Sequence, residues 1–174
     1  MTSKEIALIV GAGRGLSASL TRLFASEDMD VAIAARNTDK LSALCEETGA
    51  QAYACDAVDS AQVDQLFASV TADIGKPDVV VYNASNRARG PIQNLDPEAV
   101  RTAIQVSCFG GFLVAQAAAK QMIPRKSGTI LLTGASASVR GYPNSSSFAM
   151  GKFGLRGLAQ SLARELQPQN IHVA

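Results

Sequence analysis

Strand-like and helix-like segments alternate along the chain, and this alternation constrains the fold more than any other feature. Apolar, mostly β-branched runs at 6–10, 31–35, 51–54, 78–82 and 129–133 are separated by longer segments of helical period. The helical segments cover 15–26, 38–47, 60–74, a long region from 97 to about Met122, and 145–166. In 60–74 the apolar Val63, Leu66, Phe67, Val70 and Ile74 recur as one helix face. Asp96-Pro97-Glu98 sets a capping residue before a proline at the first helical position. Val79-Val80-Val81 is apolar throughout, as in a strand covered on both faces. Such alternation predicts an α/β fold: a doubly wound parallel sheet with helices on both faces. No repeat, low-complexity tract or linker divides residues 1–174, so one domain is expected. Ile171-His172-Val173-Ala174 reads as the start of a sixth strand, and the fold is expected to be C-terminally incomplete.

Composition narrows the function classes. Sixteen Lys and Arg oppose 15 Asp and Glu, with no basic run, which argues against nucleic-acid or membrane-surface binding. No apolar run approaches the roughly 18–20 residues of a membrane span. The N-terminal Met-Thr-Ser-Lys-Glu lacks a signal peptide's layout. Three cysteines without CxxC spacing make disulfides and zinc sites unexpected, and point to a reducing cytoplasm. A single histidine, His172, excludes a multi-histidine metal site. No metal is expected.

The first strand ends in Val10-Gly11-Ala12-Gly13-Arg14-Gly15-Leu16-Ser17, and a helix follows. Glycines let a backbone turn tightly and approach a pyrophosphate, and the helix N-terminus offers free N–H groups to it. The spacing is neither G-x-G-x-x-G nor a Walker A motif.

These residues resemble the T-G-x-x-x-G-x-G turn of the short-chain dehydrogenase/reductases, and the resemblance continues along nearly the whole chain. Gly11 and Gly15 match, Val10 takes the threonine position, and Ser17 takes that of the last glycine. There Ser17 is expected either to narrow the site or to hydrogen-bond a phosphate. Asp56 stands at the family's adenine-contacting aspartate. Tyr82-Asn83-Ala84-Ser85 is similar to N-N-A-G, retaining Asn83 and Ala84 beside the nicotinamide-side ribose. The resemblance implies a Rossmann-type sheet, a nicotinamide cofactor, and cofactor contacts from Gly11, Arg14, Gly15, Leu16, Arg36, Asp56, Asn83, Ala84 and Lys152.

Strand two ends in Ala34-Ala35-Arg36, without the carboxylate that would bond an NAD ribose and repel a 2′-phosphate. Arg36 offers a planar donor fork suited to phosphate, and the family often uses an arginine at the place of Arg14 for the same group. NADP(H) is therefore expected over NAD(H).

The reaction centre departs from the family. There, a tyrosine moves the proton, a lysine four residues on lowers its pKa, and a serine and an asparagine complete the set. Phe148-Ala-Met-Gly-Lys152 keeps only the lysine, and Phe148 has no proton to give. Ala135 stands at the serine position, flanked by Ser136 and Ser138. Ser107, in Val106-Ser107-Cys108-Phe109-Gly110, stands at the asparagine. The candidate catalytic residues are Lys152, Ser136 and Ser107. Tyr142 is read as packing on the start of the last helix, and Cys108 as a core cysteine.

Two readings follow. One is an NADP(H)-dependent oxidoreductase for a small carbonyl or alcohol, with an altered proton relay. The other is a catalytically degenerate nucleotide binder acting as a sensor or partner subunit. Small residues in 99–122 and 145–166, including Ala115, Ala117, Ala118, Gly151 and Gly154, allow close helix approach, and the family pairs these helices across a two-fold axis. A homodimer or homotetramer is expected.

Overall fold

The computed structural model describes residues 4–174; Met1–Ser3, and the part of the N-terminal reading that rests on them, lie outside the described residues. Six parallel strands run in the order β3-β2-β1-β4-β5-β6. They are β1 (Ile6–Val10), β2 (Asp30–Ala35), β3 (Gln51–Ala54), β4 (Val79–Tyr82), β5 (Gly128–Leu132) and β6 (Ile171–Val173). The helices are α1 (Leu16–Ser26), α2 (Ser42–Thr48), α3 (Ser60–Asp73), α4 (Pro97–Ile104), α5 (Gly110–Met122) and α6 (Ser146–Leu166). The doubly wound parallel sheet is as the alternation predicts.

Successive strand residues point to opposite faces, so each central strand feeds two cores. Leu8, Val10, Val80 and Ile130 pack with Phe67, Leu113 and Met122 from α3 and α5, and with Leu155 from α6. Ile9, Ile33 and Val81 pack on the other face with Leu41 and Leu44 and, from α1, Leu20 and Phe24. Residues on both faces of β1 are almost fully buried, which explains the unbroken apolar run.

Local chemistry sets the helix ends. The Asp96 carboxylate accepts from the N–H groups of Glu98 and Ala99, so α4 starts where its cap and proline place it. Asp59 caps α3 through Ala61 and Gln62. The segment expected as one helix over 38–47 is instead a 3₁₀ turn, Asp39–Leu41, followed by α2. The long helix from Pro97 is interrupted by a π turn at Gln105–Phe109. That helical run, Pro97–Arg125, is long and apolar enough to cross a membrane by length and composition, which corrects the expectation that no stretch is. Half of its apolar window is buried against the rest of the fold.

β1 lies between β2 and β4, with Val10 level with Ala34 on one side and Tyr82 on the other. Chain connections leave in opposite directions at this point. The connections that follow β1 and β4 therefore run to opposite faces of the sheet and leave a crevice at its carboxyl edge, where open α/β sheets bind ligands.

Candidate active site

At that edge lies a cleft of about 360 Å³, lined by Gly11, Arg36, Lys40, Asp56, Asn83 and Ala84 among others. Residues from the ends of four strands meet here, and five of them are expected cofactor contacts. Lys40 is the addition. The 3₁₀ turn Asp39–Leu41 directs it to the same cleft as Arg36, and its place four residues beyond Arg36 is the only sequence signal for it. Among the described residues neither cation is in an ion pair.

The glycine turn is shaped by packing and by backbone angle. At Gly11, φ is +90°, and a Cβ would lie 2.6 Å from the Ala84 Cα. This contact brings the ends of β1 and β4 together, and the Asn83 N–H donates to the Val10 carbonyl at 2.8 Å. Gly15 caps α1 at φ +97° with no side-chain hydrogen bond to the helix start. A Cβ at Gly13 or Gly15 would meet nothing within 4 Å, so the turn before α1 is open at both glycines. Arg14 and Leu16 project exposed beside it, outside the lining of the cleft itself.

Ser17 does not reach toward a phosphate. Its buried hydroxyl accepts from the Gly13 N–H at 2.9 Å and donates to the Gly13 carbonyl at 3.1 Å. It braces the turn and removes one N–H from those facing the opening. Asp56 lines the cleft with one carboxylate oxygen 3.3 Å from the Val58 N–H.

The β4–β5 side is built differently. Lys152 is 3 % exposed, and its Nζ donates to the Thr133 carbonyl beyond β5 at 2.6 Å. Burial, and then the charge of Arg87, pull its ammonium below the usual lysine pKa. Phe148 lies one turn earlier on α6, with its ring centroid 5.9 Å from the Lys152 Nζ and 3.9 Å from the Arg87 guanidinium carbon. The ring of Phe148 thus faces the retained lysine, and an arginine absent from the sequence-based candidates covers it.

Ser107 is fully buried in the π turn. Its hydroxyl donates to the Asn86 carbonyl and accepts from the Asn86 N–H, each at 3.1 Å. Its proton is committed to the loop after β4. Ser147 does the same to Ala88, accepting at 3.1 Å and donating at 2.7 Å. The Val106 carbonyl, at the same π turn, takes the hydroxyl of buried Tyr82. Such turns often mark functional sites.

Beyond β5, Ser138 accepts from the Ala135 N–H at 3.0 Å and closes its own turn, while Ser136 stays exposed. Tyr142 accepts from the Arg140 Nε at 2.8 Å. The Ser136 hydroxyl, and then Arg140, hold its phenol below the ordinary tyrosine pKa. Tyr142 is therefore tied to Arg140 in its own loop. Cys108 is half-buried, its Sγ packs against Gly154, and burial pushes its thiol up.

The comparisons with known proteins agree with this geometry. A sequence model described as short chain dehydrogenase matches residues 5–174. The chain is 31% identical over 180 residues to short chain aldehyde dehydrogenase 1 of Euphorbia lathyris, covering 97% of this chain and 61% of that protein. It is 27% identical over 170 residues to carbonyl reductase family member 4 of Xenopus tropicalis, covering 97% and 72%. The crystal structure of a short-chain dehydrogenase from Rhodopseudomonas palustris superposes with a TM-score of 0.92 at 33% identity, over 98% of this chain and 82% of that one. An actinorhodin polyketide ketoreductase variant solved with NADPH gives 0.94 at 25% identity, over 98% and 68%. The chain thus spans about three fifths to three quarters of the length of these curated relatives. With a crossover cleft behind a glycine turn, a lysine set one helical turn from the site beside it, and matches over nearly all its length, the chain belongs to the short-chain dehydrogenase/reductase family.

Proposed function

We propose that residues 1–174 form one dinucleotide-binding domain of an NADP(H)-dependent oxidoreductase that acts on a small carbonyl or alcohol through an altered proton relay. The observation that carries this reading is the cleft at the crossover. It joins the glycine turn to Arg36 and Lys40 with no carboxylate at the end of β2. The open space at Gly13 and Gly15 before an uncapped helix start fits a pyrophosphate. Arg36, Lys40 and Arg14 would hold a ribose 2′-phosphate, Asp56 the adenine, Asn83 and Ala84 the far ribose, and Lys152 its hydroxyls. The neighbour solved with NADPH supports a nicotinamide group here. A bound nicotinamide supplies or accepts a hydride.

The chain's own residues then hold the substrate and move its proton. Phe148 excludes water from the lysine and gives no proton. Ser136 orients the substrate oxygen, and Tyr142, in the loop that follows it and bonded to the Arg140 Nε, is the phenol available to exchange a proton. Ser107 positions the loop after β4 through Asn86 and does not touch substrate. The free thiols Cys45, Cys55 and Cys108 support a cytoplasmic setting.

A homodimer or homotetramer fits the outer face of the π turn, α5 and α6, where Phe109, Phe112, Met150 and Phe153 are exposed. Several small residues first read as the contact serve inside the chain instead. Ala115, Ala117 and Ala118 are in the core, while Gly151 and Gly154 let α6 approach Ser107 and Cys108.

The test is titration with NADPH and NADH, followed by a carbonyl panel monitored through the reduced nicotinamide's absorbance. NADPH binding at least about tenfold tighter than NADH, with turnover of some carbonyl, is the expected result. Binding without turnover favours the degenerate nucleotide binder, which the phenylalanine at position 148 supports. No binding of either nucleotide overturns both.

A further inference from the structure

The loop after β4 presents Arg87 in an unusual way. Its two neighbours, Asn86 and Ala88, each have both backbone polar groups held by a fully buried serine, Ser107 and Ser147 respectively. The Asn86 side-chain oxygen accepts from the Arg87 N–H as well. A little further on, the Gly90 N–H donates to the Asn144 carbonyl. Three anchors from elsewhere in the chain, Ser107, Ser147 and Asn144, and one within the loop thus fix the backbone around one exposed arginine. The guanidinium is held too, since it lies 3.9 Å from the centroid of the Phe148 ring, a separation suited to cation–π attraction. Yet among the described residues its N–H groups meet no acceptor and no carboxylate.

The same ring also faces the Lys152 ammonium at 5.9 Å. Two cations converge on one mostly buried aromatic side chain, and each raises the cost of the other's charge. Burial lowers the pKa of Lys152 first, and the Arg87 charge adds to it. A bound anion relieves the cost of the paired charges. The fork of an arginine matches a carboxylate with two parallel hydrogen bonds, and the fork here is held in place before any ligand arrives.

From this we infer that Arg87, backed by Lys152 across the Phe148 ring, is an anion-recognising residue at the reaction centre, and that the substrate is an oxo acid whose carboxylate it binds. The inference deepens the proposed carbonyl reduction and rests on that reading of the site. Arg87 determines specificity, while Ser107 and Ser147 are positioning residues for its loop.

The experiment compares 2-oxobutanoate and 3-oxobutanoate with their methyl esters, by calorimetric binding without nucleotide and by kcat/KM with NADPH. The acids are expected to bind at least about tenfold tighter than the esters and to be reduced with the same preference. Arg87→Gln should bring the acid-to-ester ratio near one, and Arg87→Lys should give an intermediate ratio because it keeps charge without the fork. Equal binding of acid and ester by the unaltered protein, or a ratio unmoved by Arg87→Gln, overturns the inference. Binding of dihydroxyacetone phosphate with none of the oxo acids overturns the carboxylate assignment. Acid-selective, Arg87-dependent binding in a protein that fails to bind NADPH keeps the anion site and overturns the carbonyl-reductase reading, so the two fail separately.

Discussion

On the β1–β3 side of the crossover, backbone shapes the site and a few side chains line it: a turn with φ +90° at Gly11, a helix start without a side-chain cap, and Arg36, Lys40 and Asp56 at the strand ends. On the β4–β5 side it is made of side chains: two buried serines, a buried lysine, an aromatic ring and an arginine over it. Backbone geometry tolerates replaced side chains, so Val10 and Ser17 leave the turn intact. The second side does its chemistry through individual functional groups. A change from tyrosine to phenylalanine there removes a proton and leaves the helix in place. One half can therefore keep its role while the other changes.

Restoring the missing groups challenges that division most directly. The double change Phe148→Tyr with Ala135→Ser places a phenol beside Lys152 and Arg87 and a hydroxyl after β5. Both cations favour the phenolate, so the gain should be clearest at neutral to mildly alkaline pH. General acid–base catalysis contributes about 10²–10⁴-fold, and a rise in carbonyl reduction of about 10²-fold or more is expected in steady-state rates. Normal NADPH binding without any gain would mean that the second side was never shaped for this proton transfer.

The backbone character of the first side is tested by two neighbouring glycines. Gly11→Ala forces a Cβ against Ala84 at positive φ and should cost about 2–4 kcal/mol in denaturant unfolding. Gly13→Ala meets open space within the chain, and its stability should change by no more than about 0.5 kcal/mol. Similar losses for both would break the distinction.

Ser147→Ala removes the only partner shown for two polar groups of Ala88 and should cost about 1–3 kcal/mol of stability. Proteolysis of the loop after β4 should rise with it. Arg36→Asp should weaken NADPH binding by at least tenfold, about 1.4 kcal/mol, with NADH unchanged or improved. If titration shows both nucleotides weakened alike, the phosphate assignment falls.

The smallest effect concerns pH. The folded pKa of Lys152 lies below its ordinary value of 10.5, so the unfolded chain binds more protons in the window between the two. Stability from this group should rise as pH climbs through that window. Lys152→Met should flatten the rise in thermal unfolding measured across mildly alkaline pH.

The first side was largely legible from sequence. β1 and β3 have the limits their apolar runs suggest, and the turn between β1 and α1 declares itself through local glycines. Lys40 was hidden, because a helical period continues through a 3₁₀ turn that redirects it. The second side depends on contacts across long stretches of chain. Ser147 reaches Ala88 from 59 residues away, and Ser107 reaches Asn86 from 21, so nothing local marks Arg87 as fixed. The π turn was equally hidden, since the Val106 carbonyl is satisfied by Tyr82, 24 residues earlier. Local pattern also left two roles open for Ser17, and the turn folds its hydroxyl back onto Gly13 and away from a phosphate.

The Tyr82 hydroxyl bears on how this chain can change over generations. A Cβ at Gly110 would run into that hydroxyl and lie 2.9 Å from the Ala57 carbonyl oxygen, and a Cβ at Gly111 would lie 3.2 Å from the Tyr82 ring. The tyrosine and the two glycines therefore fit only as a set. Replacing Tyr82 with the family's asparagine would leave a hollow beside both glycines and the Val106 carbonyl without its donor. Enlarging either glycine first would collide with the ring. Each single change at these three positions would therefore cost stability, and a smaller residue at 82 is accommodated only where the space beside Gly110 and Gly111 is filled at the same time.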